Sequence, residues 1–202
     1  AQPPLYLVTR KKRSEYVQDN DQLNKILIEL GASEVVLRTH DRSRVFSAEE
    51  LKGILETLSS LSRYTRSIEG NGGDFRNYLA ARRADGHLVE FMVRIREGND
   101  ENVLYFADEN ALRDYANANR DLRLFDEIPT DDELAAGPGV SRRAVLHELH
   151  ESHAIAKLFA RLTEAGIDIR NFHSDDTPLF ELLEGEGEKQ QATPLFSIPE
   201  IL

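Results

Sequence analysis

The densest run of chemically capable side chains is His147-Glu148-Leu149-His150-Glu151-Ser152-His153. Imidazole and carboxylate together can hold a transition metal or move a proton. A helical zinc-protease site needs two His one turn apart, four residues along, with Glu beside the first. Here successive His are three residues apart, so that motif is not formed. On a strand, His147 and His150 point to opposite faces; on a helix, His147, His150 and His153 drift round the surface. The spacing therefore favours imidazoles packed or hydrogen-bonded in a hairpin over a metal centre.

The other candidates are thinner. Asp131-Asp132 and Asp175-Asp176 offer adjacent carboxylates, which seldom converge on one cation without further ligands, and no EF-hand or Asp-x-Asp pattern surrounds them. Gly70 to Gly73 lack the Lys-Ser/Thr that a phosphate loop requires. No Ser sits in a nucleophile-elbow pattern, and Cys is absent, which excludes disulfides, thiolate metal sites and a Cys nucleophile. No catalytic, cofactor-binding or metal-ligating residue is assigned, and no cofactor is expected in this chain itself. The basic turn Arg10-Lys11-Lys12-Arg13 is the candidate nucleic-acid contact. Arg76, Arg82 and Arg83 read as solvated surface charge.

Composition sets the frame for these sites. The chain has 202 residues, 40% hydrophobic and 30% charged, as in a globular protein. No run approaches the roughly 20 apolar residues that span a bilayer, so no membrane contact is expected. The lack of Cys fits a reducing cytoplasm. The net charge of −11 makes the chain as a whole a poor partner for phosphate backbones, which bind clustered Lys and Arg. It lacks an initiator Met and a leader, and it ends at Glu200-Ile201-Leu202 in mid-pattern. Both ends read as boundaries inside a longer chain.

The elements that position these residues follow from periodicity. Leu5 to Val8 predict a strand, and Glu15-Tyr16-Val17 can pair back on it. Asp19 or Asn20 caps a helix carrying Leu23, Ile26, Leu27 and Leu30, with Gly31 as its stop. Glu34 to Thr39 predict a strand, and a second short strand includes Val45 and Phe46. Ser47 and Glu50 form a capping box that opens a helix with Leu51, Ile54, Leu55, Leu58, Leu61 and Tyr64 on one face. Asp74 caps a shorter helix. His87 to Arg96 predict a long strand, returned by Val103 to Phe106, and Asp108 caps another helix. Residues 120–140 are acidic, contain Gly137-Pro138-Gly139, and read as a mobile linker.

Residues Arg142 to Ala165 tempt a single long helix, but the phases conflict. Val145, Leu146 and Leu149 lie nearly opposite Ile155, Leu158, Phe159 and Leu162 on a helical wheel. Two elements resolve the conflict: a strand over Ala144 to His150, then a helix from Ser152 stopped at Gly166. The expected class is α+β, with a mixed or antiparallel sheet and several packed helices.

The opening Ala1-Gln2-Pro3-Pro4-Leu5-Tyr6 resembles the last core strand of the TOPRIM domain in bacterial DNA gyrase B subunits, and the likeness runs to about residue 30. Gln2 fits gyrase better than the sister topoisomerase IV subunit. Phe91 to Gly98 and Glu148 to Glu151 are similar to stretches of the inserts carried by some gyrase B subunits, whereas residues 120–140 resemble nothing identified. The family's Gln-Arg-Tyr/Phe-Lys-Gly-Leu-Gly-Glu-Met segment does not follow. The resemblance implies a TOPRIM edge over residues 1–30 and a TOPRIM insert over 31–202, within an ATP-dependent type II topoisomerase that supercoils DNA. It implies ATP and magnesium for the parent enzyme. The A subunit and the rest of the B subunit would be partners, with DNA reached through the complex. The family's catalytic carboxylates precede the segment matched here, so the fragment is expected to be non-catalytic. An independent metal-binding hydrolase using His147 to His153, and a purely structural decoration, are the alternatives.

Overall fold

The computed structural model describes residues 6–10, 13–17, 20–125, 142–173, 176–185 and 187–202. Its class is α+β: among the described residues, five α-helices accompany a two-stranded hairpin and two three-stranded antiparallel sheets. The chain divides into two compact units, residues 1–60 with 160–202, and residues 61–159.

The first unit begins with strands β1 (Tyr6–Arg10) and β2 (Arg13–Val17), which pair antiparallel. Helix α1 (Asn20–Glu34) follows. It does not stop at Gly31 as the sequence suggests. Gly31 keeps an ordinary helical φ, Ala32 is buried, and the Ser33 hydroxyl bonds back to the Leu30 carbonyl at 2.8 Å, so one more turn is worth making. The capping candidate Asp19 lies outside the described residues. Strand β3 (Val35–Thr39) leads into a tight loop, and Val45 forms only an isolated bridge to Arg38 rather than a strand.

Helix α2 (Ala48–Gly70) opens on the expected capping box. The Glu50 amide donates to Ser47 Oγ at 3.2 Å, and the Ser47 amide donates to Glu50 Oε2 at 2.7 Å. Those bonds hold the Glu50 carboxyl below its ordinary range, the Ser47 amide contributing most. Leu51, Ile54, Leu55 and Leu58 are buried along one face.

The first unit's sheet has the order β3-β7-β8, with β7 (Phe180–Glu184) central and β8 (Gln191–Leu195) on an edge. An edge tolerates Pro194, which has no amide to donate. Leu37, Leu183 and Leu195 are buried in it. Arg38 and Glu181 stand opposite one another in the register and form an ion pair at 2.5 Å.

The second unit is built on β4 (Phe91–Glu97), flanked by β5 (Asp100–Phe106) and β6 (Arg142–Glu148). Both faces of β4 are covered. Val93 and Ile95 pack with Leu112 of α4 (Glu109–Ala118) and with Leu122. On the other face Met92 is fully buried, and its sulfur lies where a side chain on Gly73 would go. Beside it, Tyr105 exchanges hydrogen bonds with the backbone of Asp74, the N-cap of α3 (Phe75–Ala80). Asp74 and Asp108 cap their helices through the amides of Asn77 and Ala111, as their positions suggest.

The long strand expected from His87 starts only at Phe91. Leu88 and Val89 are buried in succession, which an alternating strand does not do, and the Val89 carbonyl is taken by a side chain. Of the expected linker, residues 120–125 are described, and Leu122 in its short 3-10 turn is buried; residues 126–140 lie outside the described set. The conflict of phases over 142–165 is resolved as expected, by β6 followed by α5 (Glu151–Glu164).

Gly166 ends α5 with φ +83°, and a Cβ there would run into the Arg44 guanidinium. Arg44 is held against Glu50 at 3.1 Å and over the Phe46 ring at 4.5 Å. Gly166→Ala must strain the backbone and displace that guanidinium. We expect a loss of about 1–2 kcal/mol in urea unfolding, whereas Gly53→Ala, an exposed helix site with open space around it, should be neutral or stabilising.

Candidate functional site

Two places gather polar chemistry. The first is a cleft of about 550 Å³ in the second unit. The antiparallel pairing of β4 with β6 creates it, for the Leu149 amide donates to the Glu90 carbonyl at 2.7 Å and joins chain segments 59 residues apart. His87, Glu90, His150 and His153 line it. His87 Nδ1 lies 3.1 Å from Asp85, and His150 Nδ1 lies 3.5 Å from Glu148. Asp85 is held below the usual carboxylate range, chiefly by the His87 backbone amide.

The sequence run His147 to His153 is therefore split. His147 belongs to β6 opposite Met92, and its Nε2 is buried without a hydrogen-bond partner among the described residues. His150 is exposed after the strand, and His153 sits in the first turns of α5. His87, distant in sequence, joins the last two. Among the described residues no three His, Asp or Glu are arranged to hold a metal ion. Asp131, Asp132 and Asp175 lie outside the described residues.

Ser152, which lines the cleft, belongs to a buried hydrogen-bond chain. Ser152 Oγ donates to the Val89 carbonyl at 2.6 Å. Its single proton is thereby used, so at 2.7 Å it accepts from the Tyr78 hydroxyl. Burial pushes the Tyr78 hydroxyl up to about 12, which keeps it a donor.

The second place is the loop between β3 and α2, Thr39-His40-Asp41-Arg42-Ser43-Arg44. Asp41 Oδ1 accepts from Thr39 Oγ1 at 2.6 Å, from the Ser43 amide at 3.0 Å and from Ser43 Oγ at 2.7 Å. These bonds, the Thr39 hydroxyl first, lower the Asp41 carboxyl to about 2. The loop is closed by Thr39 N to Arg44 O and Arg42 N to Thr39 O, each 2.9 Å. Arg38 and His40 flank Glu181, which Arg38 chiefly holds below its ordinary range. No motif marks this loop. Only the density of Arg in a chain of net charge −11 could have drawn notice.

The basic turn singled out from the sequence is a hairpin end. Arg10 and Arg13 are its last paired positions, and Lys11 and Lys12 lie outside the described residues. Arg83 is tied to Asp85 and Asp108 at 3.3 and 3.4 Å, so it is neutralised surface charge. No helix is long and apolar enough to cross a membrane among the described residues. Compared with models of protein families, with curated proteins and with solved structures, the chain matches none.

Two measurements check this geometry. Ser152→Ala leaves the Val89 carbonyl and the Tyr78 hydroxyl unpaired, and should cost about 1–3 kcal/mol in urea unfolding. Tyr78→Phe, which leaves the Ser152 bond to Val89 intact, should cost less. Asp41 has a lowered folded value, so its contribution is complete above the unfolded carboxylate value of about 4 and is lost as pH falls toward 2. The stability gap between the native chain and Asp41→Asn should therefore be flat from pH 7 to 5 and close on further acidification.

Proposed function

We propose that this chain is the insert-bearing part of a gyrase B TOPRIM domain, a non-catalytic module that braces TOPRIM and couples it to DNA and to the A subunit. The observation that carries the reading is the opening segment Ala1-Gln2-Pro3-Pro4-Leu5-Tyr6 with the basic turn behind it. Over the same stretch the described residues form the hairpin β1–β2 followed by α1. The ATP and magnesium chemistry then belongs to parts of the parent enzyme outside this chain, at a cytoplasmic enzyme acting on DNA. The net charge of −11 favours protein contacts over DNA contacts for most of its surface.

A metal-dependent hydrolase is the second reading, and the cleft shared by His87, His150 and His153 is what favours it. Metal content of the purified protein separates the two, since bound metal at one equivalent per chain supports the hydrolase.

The test is ATP-dependent supercoiling by the reconstituted parent enzyme with and without residues 32–202, alongside its ATPase rate. We expect supercoiling to collapse while ATPase survives. Unchanged supercoiling would make the module a structural decoration and remove the coupling role.

A further inference from the structure

We propose that the open edge of β6 is a docking site for an acidic, extended segment of a partner protein. The segment joins the second unit's sheet as a further strand, with Arg96 and Arg143 as its charge anchors. The inference goes beyond the functional reading above and does not rest on it.

The outer strands of the two three-stranded sheets differ in how their free sides are treated. The outer side of β3 is taken, for the Phe46 amide donates to the Leu37 carbonyl and the Thr39 amide to the Arg44 carbonyl, each at 2.9 Å. Strand β8 carries Pro194, which has no amide to donate. On β5 the Val103 amide is taken by the Asn102 side chain at 3.1 Å. Strand β6 has no Pro, runs in unbroken register along β4, and its backbone bonds to no described residue outside β4. Such an edge presents alternate N–H and C=O groups. A second polypeptide strand satisfies both kinds, whereas a phosphate backbone has no donor to offer.

The side chains along this edge choose the partner. Arg143 of β6 and Arg96 of β4 stand directly opposite one another and are both exposed. Neither forms an ion pair or side-chain hydrogen bond with a described residue. Like charges directly opposite destabilise a sheet. The acid in the same row, Glu101 of β5, lies 3.6 Å from Arg94. On this face of the three strands, Arg94, Arg96 and Arg143 thus meet one carboxylate. Arg142 is on the other face, where Asp121 takes it at 2.7 Å. One row along, Val145 stands opposite Arg94 and is 45% exposed. A strand laid against β6 sets one side chain beside Arg143 and another, two residues away, beside Val145. A carboxylate at the first position offsets the repulsion between the arginines. An apolar group at the second removes Val145 from water. The fitting segment therefore alternates, with an acid and a β-branched or aromatic residue two positions apart.

The test uses the full chain and a fluorescent peptide of three Thr-Val-Thr-Glu repeats, read by anisotropy and by amide hydrogen exchange. We expect saturable binding, with exchange slowed across residues 142–148. Arg96→Glu/Arg143→Glu should weaken binding by about tenfold. A peptide of Thr-Val-Thr-Lys repeats should bind that variant and not the native chain, an exchange of preference that misfolding cannot produce. Arg143→Thr should keep or raise the thermal midpoint, because the cross-strand repulsion is gone. Unchanged exchange in β6, or equal binding of a peptide with Pro in place of each Val, would overturn the strand docking. A DNA duplex that binds more tightly than the peptide and displaces it would assign the face to nucleic acid and overturn the inference. Dimerisation of Arg143→Thr, with no peptide binding by the native chain, would make the arginines guards against a second copy and also overturn it. Peptide binding that appears only when residues 126–140 are replaced by a Gly-Ser linker would assign the edge to this chain's own acidic segment and remove the partner.

Discussion

The second unit depends on one buried hydroxyl that accepts one hydrogen bond and donates another. Ser152 Oγ links the Tyr78 hydroxyl to the Val89 carbonyl, and so joins α3, the start of α5 and the chain entering β4. All three groups lie where water does not reach easily, for Tyr78 is fully buried and Ser152 and Val89 nearly so. Each polar atom must find its partner inside, or its desolvation is uncompensated. This is why β4 begins late. With the Val89 carbonyl turned to Ser152, regular pairing starts only after Glu90, whose amide bonds to Phe106 and whose carbonyl bonds to Leu149. The cleft above this point is a consequence of the same geometry, since Leu88, Glu90, Leu149 and Ser152 all line it.

Local signals in the sequence proved readable where the deciding physics is local. The capping box at Ser47 and Glu50 and the caps at Asp74 and Asp108 each involve residues within one helical turn. The break between β6 and α5 was legible because a helix with apolar residues on opposed sides would expose one of them. Gly31 misled because its neighbourhood, not its own propensity, decides. Ala32 is buried, and that packing offsets the roughly 1 kcal/mol cost of a helical Gly.

What could not be read is what register decides. His87 and His150 line one cleft because β4 and β6 pair with Met92 opposite His147. A shift of one residue would turn every side chain of β6 to the other face. Arg38 likewise meets Glu181, 143 residues away, through the pairing of β3 with β7. Periodicity shows which residues share a face of one element. It does not show which element lies beside it. The loop Thr39–Arg44 escaped notice for a different reason: it turns on a backbone angle at Arg42, and nothing about Arg as a residue type announces φ +61°.

The distribution of cations decides which arginines can meet an acidic partner. Arg83, Arg113, Arg142 and Arg170 are each bound to a neighbouring Asp or Glu. A cation already paired in this way gains little by exchanging one carboxylate for another. In an acidic protein, the arginines that matter for an acidic partner are therefore those without an acid of their own, as Arg96 and Arg143 are among the described residues. Asp41 is the reverse case, an acid held without an arginine. Its Oδ1 accepts from Thr39 and Ser43, and its lowered pKa reflects those hydrogen bonds rather than an arginine partner. The same bonds fix the loop while the Asp41 carboxylate itself stays exposed. A net charge of −11 describes the field at a distance, but contact is decided within a Debye length of about 8–10 Å.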